Sequence, residues 1–248
     1  MSGEALGALL KSYSRSTAIV DMPNPMFGEL RLDVDNAREF LTRHPEGNMT
    51  DEMLADANRQ FQAGRALFDP ANPSVSLEAM RSITKQYPLW AGGHGAMFEG
   101  QQHQGNTEEA LYHLSQLVVV QPTYDNFALF GQKLGQAGKL EESCIVLEFL
   151  FTIPEAAVTP DDELSVTKDL LVTLTRLQKG DRMVEVVNEA TTRHGFIVEL
   201  EYQAILGHIL SGTNDAAKAR LGILLPKVKP TDPLFGKLQQ MKQILGLD

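Results

Sequence analysis

Three histidines, His94, His103 and His113, are the side chains whose type and spacing come nearest to a metal site, since they fall within 20 residues. His94 and His103 are predicted to share one helix. They are nine residues apart, so at ~100° per residue they point to nearly opposite sides of it. A zinc pair on one helix prefers a spacing near four residues. We therefore predict no metal site and expect these histidines to be solvated or to face a partner.

Two other features invite a chemical interpretation. The run Gly92-Gly93-His94-Gly95 could cradle a phosphate, but no strand is predicted before it and no Lys-Ser or Lys-Thr follows it, so the phosphate-loop signature is absent. A helix start with close helix approach is predicted there. Cys144 lies in the apolar segment SCIVLEFL with acidic neighbours, which predicts a buried, unreactive thiol. Without convergent polar groups, we predict no catalytic residues, no cofactor and no enzymatic activity.

Composition limits the possible partners. The chain has 248 residues, of which 43% are hydrophobic and 22% charged, as in an ordinary soluble domain. A net charge of −10 argues against broad binding to nucleic acid or to anionic membrane. No run approaches the ~20 apolar residues that cross a bilayer, and the start lacks a signal-peptide pattern. With a single cysteine, these features predict an acidic cytoplasmic protein that inserts into no membrane and binds no nucleic acid.

The elements that must position these residues recur at a regular interval. Pro88 and Pro122 lie 34 residues apart, and a helix, the turn Gly105-Asn106 and a second helix fit between them. Four turn glycines, Gly105, Gly138, Gly180 and Gly212, align at spacings of 33, 42 and 32 residues. Glycine suits a helix end because it adopts a left-handed backbone freely. The longest spacing contains a Pro-bounded acidic insertion at 154–163. Such a period predicts an array of helical hairpins.

The sequence thus predicts an all-α fold with two parts. Residues 1–49 would form an N-terminal arm, with short helices near 3–14 and 35–43 around an extended or loosely hairpinned segment. Residues 50–248 would form the repeat domain, with a turn at 69–74 inside its first, less regular hairpin. Its helices are predicted near 50–67, 75–86, 91–104, 107–120, 124–137, 140–152, 163–179, 182–193, 197–211 and 214–225, followed by a capping helix at 234–247.

Two of these units resemble the tetratricopeptide repeat family. Counting Ala91 as position one puts Gly105 at fifteen, Ala110 at twenty, Leu114 at twenty-four and Pro122 at thirty-two. Counting Tyr124 as one gives Phe127 at four, Phe130 at seven, Gly131 at eight, Leu134 at eleven, Gly138 at fifteen, Ser143 at twenty and Leu147 at twenty-four. The resemblance covers about residues 50–226 and implies a helical-hairpin repeat solenoid with a C-terminal capping helix. It concerns the fold, which alone does not give function.

The resemblance also implies a place for ligands, since they usually lie along the groove that the first helices of the hairpins line. The groove positions here would be Glu99, Gln102, His103, Gln132, Gln136, Leu170, Leu174, Leu177, Gln178, Tyr202, Leu206 and Ile209. This lining changes from polar to apolar and would suit an extended peptide or an amphipathic helix of another protein. The capping helix could instead bury the last positions. Members that hold C-terminal carboxylates use Lys, Arg and Asn, which these positions lack, so that role is not expected.

The resulting functional prediction is a non-enzymatic interaction scaffold that binds a segment of a partner as an adaptor, assembly factor or chaperone. The alternative is a self-assembling scaffold, a homo-oligomer; a third, an enzyme or small-molecule receptor, has no feature in its favour. Residues 141–163 carry seven acids and no Lys or Arg, whereas residues 214–248 carry six basic and three acidic side chains. This asymmetry indicates a solvated face, a dock for a basic partner or head-to-tail contact between copies.

Overall fold

The computed structural model describes residues 3–13, 49–66 and 74–247. Within these residues the chain is all-α, with twelve α-helices and no strand, as predicted. None of the helices in this described part is long and apolar enough to cross a bilayer. The predicted helix at 35–43, the segment before it and most of the turn at 69–74 lie outside the described residues. The chain divides into two compact units, 1–159 and 160–248.

Unit 1 holds a first helix and three helical hairpins. Its helices are α1 Gly3–Tyr13, α2 Asp51–Arg65, α3 Ser74–Gln86, α4 Ala91–His103, α5 Thr107–Val120, α6 Tyr124–Gln136 and α7 Leu140–Phe151, followed by a 3-10 turn at Pro154–Ala156. From α2 onward, each helix packs on the next one in the chain. Helix α1, predicted as part of a separate arm, instead packs on α5 and α7 within this unit.

Unit 2 holds two hairpins and a terminal helix. Its helices are α8 Pro160–Arg176, α9 Gly180–His194, α10 Val198–Leu210, α11 Asn214–Leu224 and α12 Pro233–Ile244, with a 3-10 turn at Leu225–Lys227 before α12. Helix α12 inserts Leu238 and Met241 into a cluster with Ile205, Leu221 and Leu224 of α10 and α11. This confirms the predicted C-terminal capping helix.

Short polar side chains set several helix starts. Thr50 and Thr123 accept hydrogen bonds from the backbone N–H groups of Met53 and Asn126, each at 3.2 Å. Asp232 accepts one from Leu234 at 2.8 Å, ahead of a proline at the first helical position of α12. Each cap satisfies a backbone donor that the helix itself leaves unpaired. These three helices therefore begin directly after a residue that can cap them.

Three of the four aligned turn glycines have the predicted left-handed backbone. Gly105, Gly138 and Gly212 have φ values of 75°, 81° and 73°. The alignment of the third hairpin on Gly180 was wrong, because Gly180 is already the first residue of α9. Gln178, with φ 56°, occupies the left-handed position two residues earlier. A non-glycine residue there is possible at a cost of about 1 kcal/mol or more.

Gly180 is required for packing rather than for the turn. A Cβ atom on Gly180 would lie 2.4 Å from the carbonyl oxygen of Gly207 and 2.9 Å from the Cβ of Leu210. A Cβ on Gly207 would lie 2.8 Å from the carbonyl oxygen of Gly180. Backbone atoms cannot move aside as a flexible side chain can, so the two glycines let α9 and α10 approach closely.

We therefore expect Gly180→Ala to destabilise the protein. The added methyl group overpacks the α9–α10 contact and should lower the free energy of unfolding by about 2 kcal/mol. Gly222→Ala in α11 is the matched control, since its Cβ would meet no atom within 4 Å, and it should raise stability by up to about 1 kcal/mol. Urea unfolding followed by circular dichroism measures both. A Gly180→Ala protein as stable as wild type would contradict the close approach.

Candidate functional site

Two of the three histidines form a buried pair between α4 and α5. The Nδ1 atoms of His94 and His113 are 3.3 Å apart, and Nε2 of His94 lies 2.9 Å from the carbonyl oxygen of Pro88. Because a carbonyl only accepts, Nε2 of His94 carries the proton. In neutral His94, Nδ1 is then an acceptor, and Nδ1 of His113 donates to it. Burial lowers the pKa of His94 to about 4.

The prediction that the histidines are solvated or face a partner was therefore wrong for His94 and His113, which the α4–α5 hairpin encloses. It fits His103, which is exposed at the end of α4. Within the described ranges, no group of three or more His, Cys, Asp or Glu side chains is placed to hold a metal ion. The histidine pair is thus a structural contact within one hairpin.

The glycine run and the cysteine also have structural positions. Helix α4 begins at Ala91, so the run forms its first turn, as predicted. The expected close approach of another helix was wrong for Gly92 and Gly95 and is limited to Gly93, whose Cβ would lie 3.1 Å from Oγ1 of Thr84. A Cβ on Gly92 or Gly93 would meet the Trp90 side chain at 2.7 or 3.0 Å, so these glycines allow the indole to fold over the helix start. Cys144 is buried in α7, which confirms the predicted burial of its thiol.

The acidic stretch at 141–163 is not one uniform solvated or docking face. Glu148 and Glu163 are only 5% and 7% exposed. The Glu163 carboxylate lies 3.0 Å from the Arg193 guanidinium and 2.8 Å from Nε2 of His194. The acid is in the first turn of α8 and the basic residues are in the last turn of α9, where the charges of Glu163 and Arg193 also complement the helix dipoles. These acids therefore act within the fold.

Two predicted groove residues of unit 1, Gln102 and Gln136, meet at one pocket. The pocket lies between α4, the start of α5 and the end of α6 and has a volume of about 160 Å³. Its lining residues are Phe98, Gln102, Thr107, Ala110, Leu111, Lys133, Gln136 and Ala137. The buried members of this set are apolar, and the carboxamides of Gln102 and Gln136 are exposed. The arrangement is an apolar floor with a polar rim.

The remaining predicted positions of unit 1 lie near this pocket without lining it. Glu99 and His103 are exposed on α4, and Gln132 is half-buried on α6. Lys133 and Thr107 also line the pocket and were not predicted. A signal for Lys133 was present, because residues three apart on a helix share a face and Lys133 precedes Gln136 by three. Lys133 gives the pocket a cation that the predicted set lacked.

The predicted groove positions of unit 2 are only partly accessible. Leu170 and Leu174 are 0% exposed, so the prediction that they contact a partner was wrong; they form part of the core. Leu177 is half-buried and Gln178 is exposed at the following turn. Tyr202, Leu206 and Ile209 are half-buried against the cluster that α11 and α12 complete. The alternative prediction, that the capping helix buries the last groove positions, is therefore confirmed in part for Tyr202, Leu206 and Ile209.

A second surface of unit 1 was not predicted at all. Helix α1 packs on α5 and α7, the second helices of two consecutive hairpins. The Tyr13 hydroxyl donates a hydrogen bond of 2.8 Å to the Glu142 carboxylate. Burial and the neighbouring Glu142 raise the pKa of Tyr13 above its ordinary value, so the tyrosine remains a donor. The largely apolar second halves of α5 and α7, with LVVV at 117–120 and IVLEFLF at 145–151, were the sequence signal for a covering element.

Comparisons with known proteins yield a structural likeness alone. No protein-family model and no curated protein matches the chain. Among solved structures, a tetratricopeptide repeat protein from Parabacteroides merdae ATCC 43184 is similar, at 13% sequence identity and a TM-score of 0.43. The match covers 97% of this chain and 86% of that one. At this identity and TM-score the likeness carries no argument about ligands or partners.

We expect acid to destabilise the fold through His94. Its pKa is about 4 when folded, against an ordinary value of 6.5, so the unfolded chain binds the proton more readily. The stabilisation that depends on neutral His94 is complete above pH ~6.5 and is lost as the pH falls toward 4. This loss should lower the free energy of unfolding by about 3 kcal/mol. Urea midpoints at pH 7 and pH 4 measure the loss.

His94→Gln should flatten this pH dependence, whereas His103→Gln, at an exposed position on the same helix, should retain the wild-type slope. Equal slopes for wild type and His94→Gln would show that another group accounts for the acid sensitivity.

Proposed function

We propose that this chain is a non-enzymatic interaction scaffold whose α4–α6 pocket binds a short extended segment of a partner protein. The observation that supports this most is the convergence of Gln102, Lys133 and Gln136 around an apolar floor. They come from the first helices of two consecutive hairpins. Roles as an adaptor, assembly factor or chaperone, and a cytoplasmic location, are part of the same proposal.

The chemistry of the pocket suits a peptide. A carboxamide donates and accepts at once, so Gln102 and Gln136 can pair with the backbone N–H and C=O groups of an extended chain. The Lys133 ammonium favours a carboxylate on that chain. The buried floor of Phe98 and Leu111 accommodates an apolar side chain. We therefore infer a segment in which an acidic residue neighbours a small apolar one.

Size and composition favour binding over catalysis. The volume of about 160 Å³ holds one side chain and is smaller than the ~300–1,000 Å³ typical of small-molecule sites. The lining contains no histidine, cysteine, aspartate or glutamate, so Lys133, its one ionisable side chain, has no acid or imidazole within the lining to act with as a catalytic pair. The alternative of a self-assembling scaffold stays a prediction, which the mass of the purified protein in solution tests.

Selection of random peptides displayed on phage tests the proposal. We expect wild-type protein to enrich peptides with an acidic residue beside an apolar one. In fluorescence anisotropy, Lys133→Glu should lower the affinity for an enriched peptide about tenfold or more, because a favourable charge contact becomes repulsive. Gln102→Ala and Gln136→Ala should each weaken it several-fold. Lys168→Glu, at an exposed position on α8, is the charge-matched control and should bind as wild type does.

Two results would contradict the pocket assignment. One is no enrichment on folded wild-type protein. The other is a peptide that binds Lys133→Glu and wild type equally well, which would place binding elsewhere on the surface.

A further inference from the structure

Helix α1 occupies the face of α5 and α7 as a bound peptide would. Its side chains toward that face are Leu6, Leu9, Leu10 and Tyr13, a spacing of i, i+3, i+4 and i+7. This is the pattern by which an amphipathic helix anchors in a groove. Leu6, Leu9 and Leu10 are 1%, 8% and 0% exposed, whereas Ala8 is exposed to solvent.

The C-terminal end of α1 makes the polar contacts. The Tyr13 hydroxyl donates to Glu142 of α7 at 2.8 Å, and Nε2 of Gln116 of α5 lies 3.5 Å from the Tyr13 carbonyl oxygen. The Tyr13 ring meets Phe130 edge to face, with centroids 5.7 Å apart. Gln116 is fully buried. These contacts define the direction and the register of a helix on this face. Leucines alone would not, because apolar contacts have no preferred direction.

Helix α1 is far in sequence from the helices on which it packs. Residues 14–48 separate Tyr13 from Met49, so a long stretch of sequence links α1 to the hairpins. A helix of 11 residues is marginal in water by itself and depends on the surface that it covers. The relation between α1 and the α5–α7 face is therefore that of a helical ligand and its receptor.

We propose that the α5–α7 face is a helix-binding site and that α1 is its internal occupant. The external ligand is an amphipathic helix of a partner protein, with leucines at i, i+3 and i+4 and a tyrosine at i+7 whose hydroxyl donates to Glu142. Binding of that helix displaces α1. This face is distinct from the α4–α6 pocket and is tested with different variants, so failure of one assignment does not decide the other.

A synthetic, fluorescein-labelled peptide of residues 3–13 is the probe for the site. We expect it to bind full-length L6D/L10D about tenfold or more tightly than it binds wild type, because in wild type α1 competes for the face. A8D, which places an aspartate on the exposed side of α1, is the matched control and should behave as wild type. Adding Glu142→Ala to L6D/L10D should lower the affinity for the peptide. On that variant, a peptide with Tyr13→Phe should bind as well as the unchanged peptide, because the hydrogen bond to Glu142 is already lost.

Three outcomes would overturn the proposal. A folded L6D/L10D protein that does not bind the peptide removes the site. Equal binding of a scrambled peptide removes its specificity. A wild-type dimer that L6D/L10D does not form would assign the face to α1 of a second copy instead of a partner helix.

If L6D/L10D does not fold, hydrogen exchange of the wild-type protein tests the same proposal without that variant. Saturating unlabelled peptide should accelerate amide exchange in α1 about tenfold while α5 and α7 keep their protection. Unchanged exchange in α1 would overturn the proposal.

Discussion

The enclosure of α5 and α7 by neighbouring helices is the constraint on which unit 1 depends. Helix α5 buries a nearly continuous run, from Leu114 to Val120, and α7 buries the run from Val146 to Phe151. Such a run leaves no side of the helix in water, so other elements have to surround it. Helix α4 packs on α5, and α6 and α1 each pack on both α5 and α7. The candidate pocket and the α1 contact therefore both include α5.

Polar pairs fix how each hairpin closes. In the α4–α5 hairpin, His94 and His113 satisfy one another inside the core. In the α6–α7 hairpin, the Ser143 hydroxyl donates to the carbonyl oxygen of Gly131 at 2.8 Å, and a Cβ on Gly131 would lie 2.7 Å from Leu147. A buried polar group without a partner is costly, so these contacts favour one register of the two helices over its neighbours.

The hairpins could be predicted from the sequence because their signals are local. The turn glycines and the apolar residues at helical spacing, such as Phe127, Phe130 and Leu134, act within a few residues of the structure they specify. Which faces are covered depends on distant elements, and there the predictions failed. Leu170 and Leu174 are core residues instead of groove residues, and α1 packs on α5 and α7. Gly180 resembled a turn glycine because its contact with Gly207 is invisible in the local sequence. Lys133 is different, because its spacing of three residues from Gln136 on α6 was a local signal for its place in the pocket.

Site-specific photo-crosslinking in the host cell tests the central claim, that the α4–α6 pocket is the contact surface for a partner. Benzoylphenylalanine would replace Gln102 in one variant and the exposed Lys168 in another, and mass spectrometry would identify the products. The account predicts a discrete crosslink to one partner protein from position 102 and none from position 168. No product from position 102, or the same products from both positions, would contradict it.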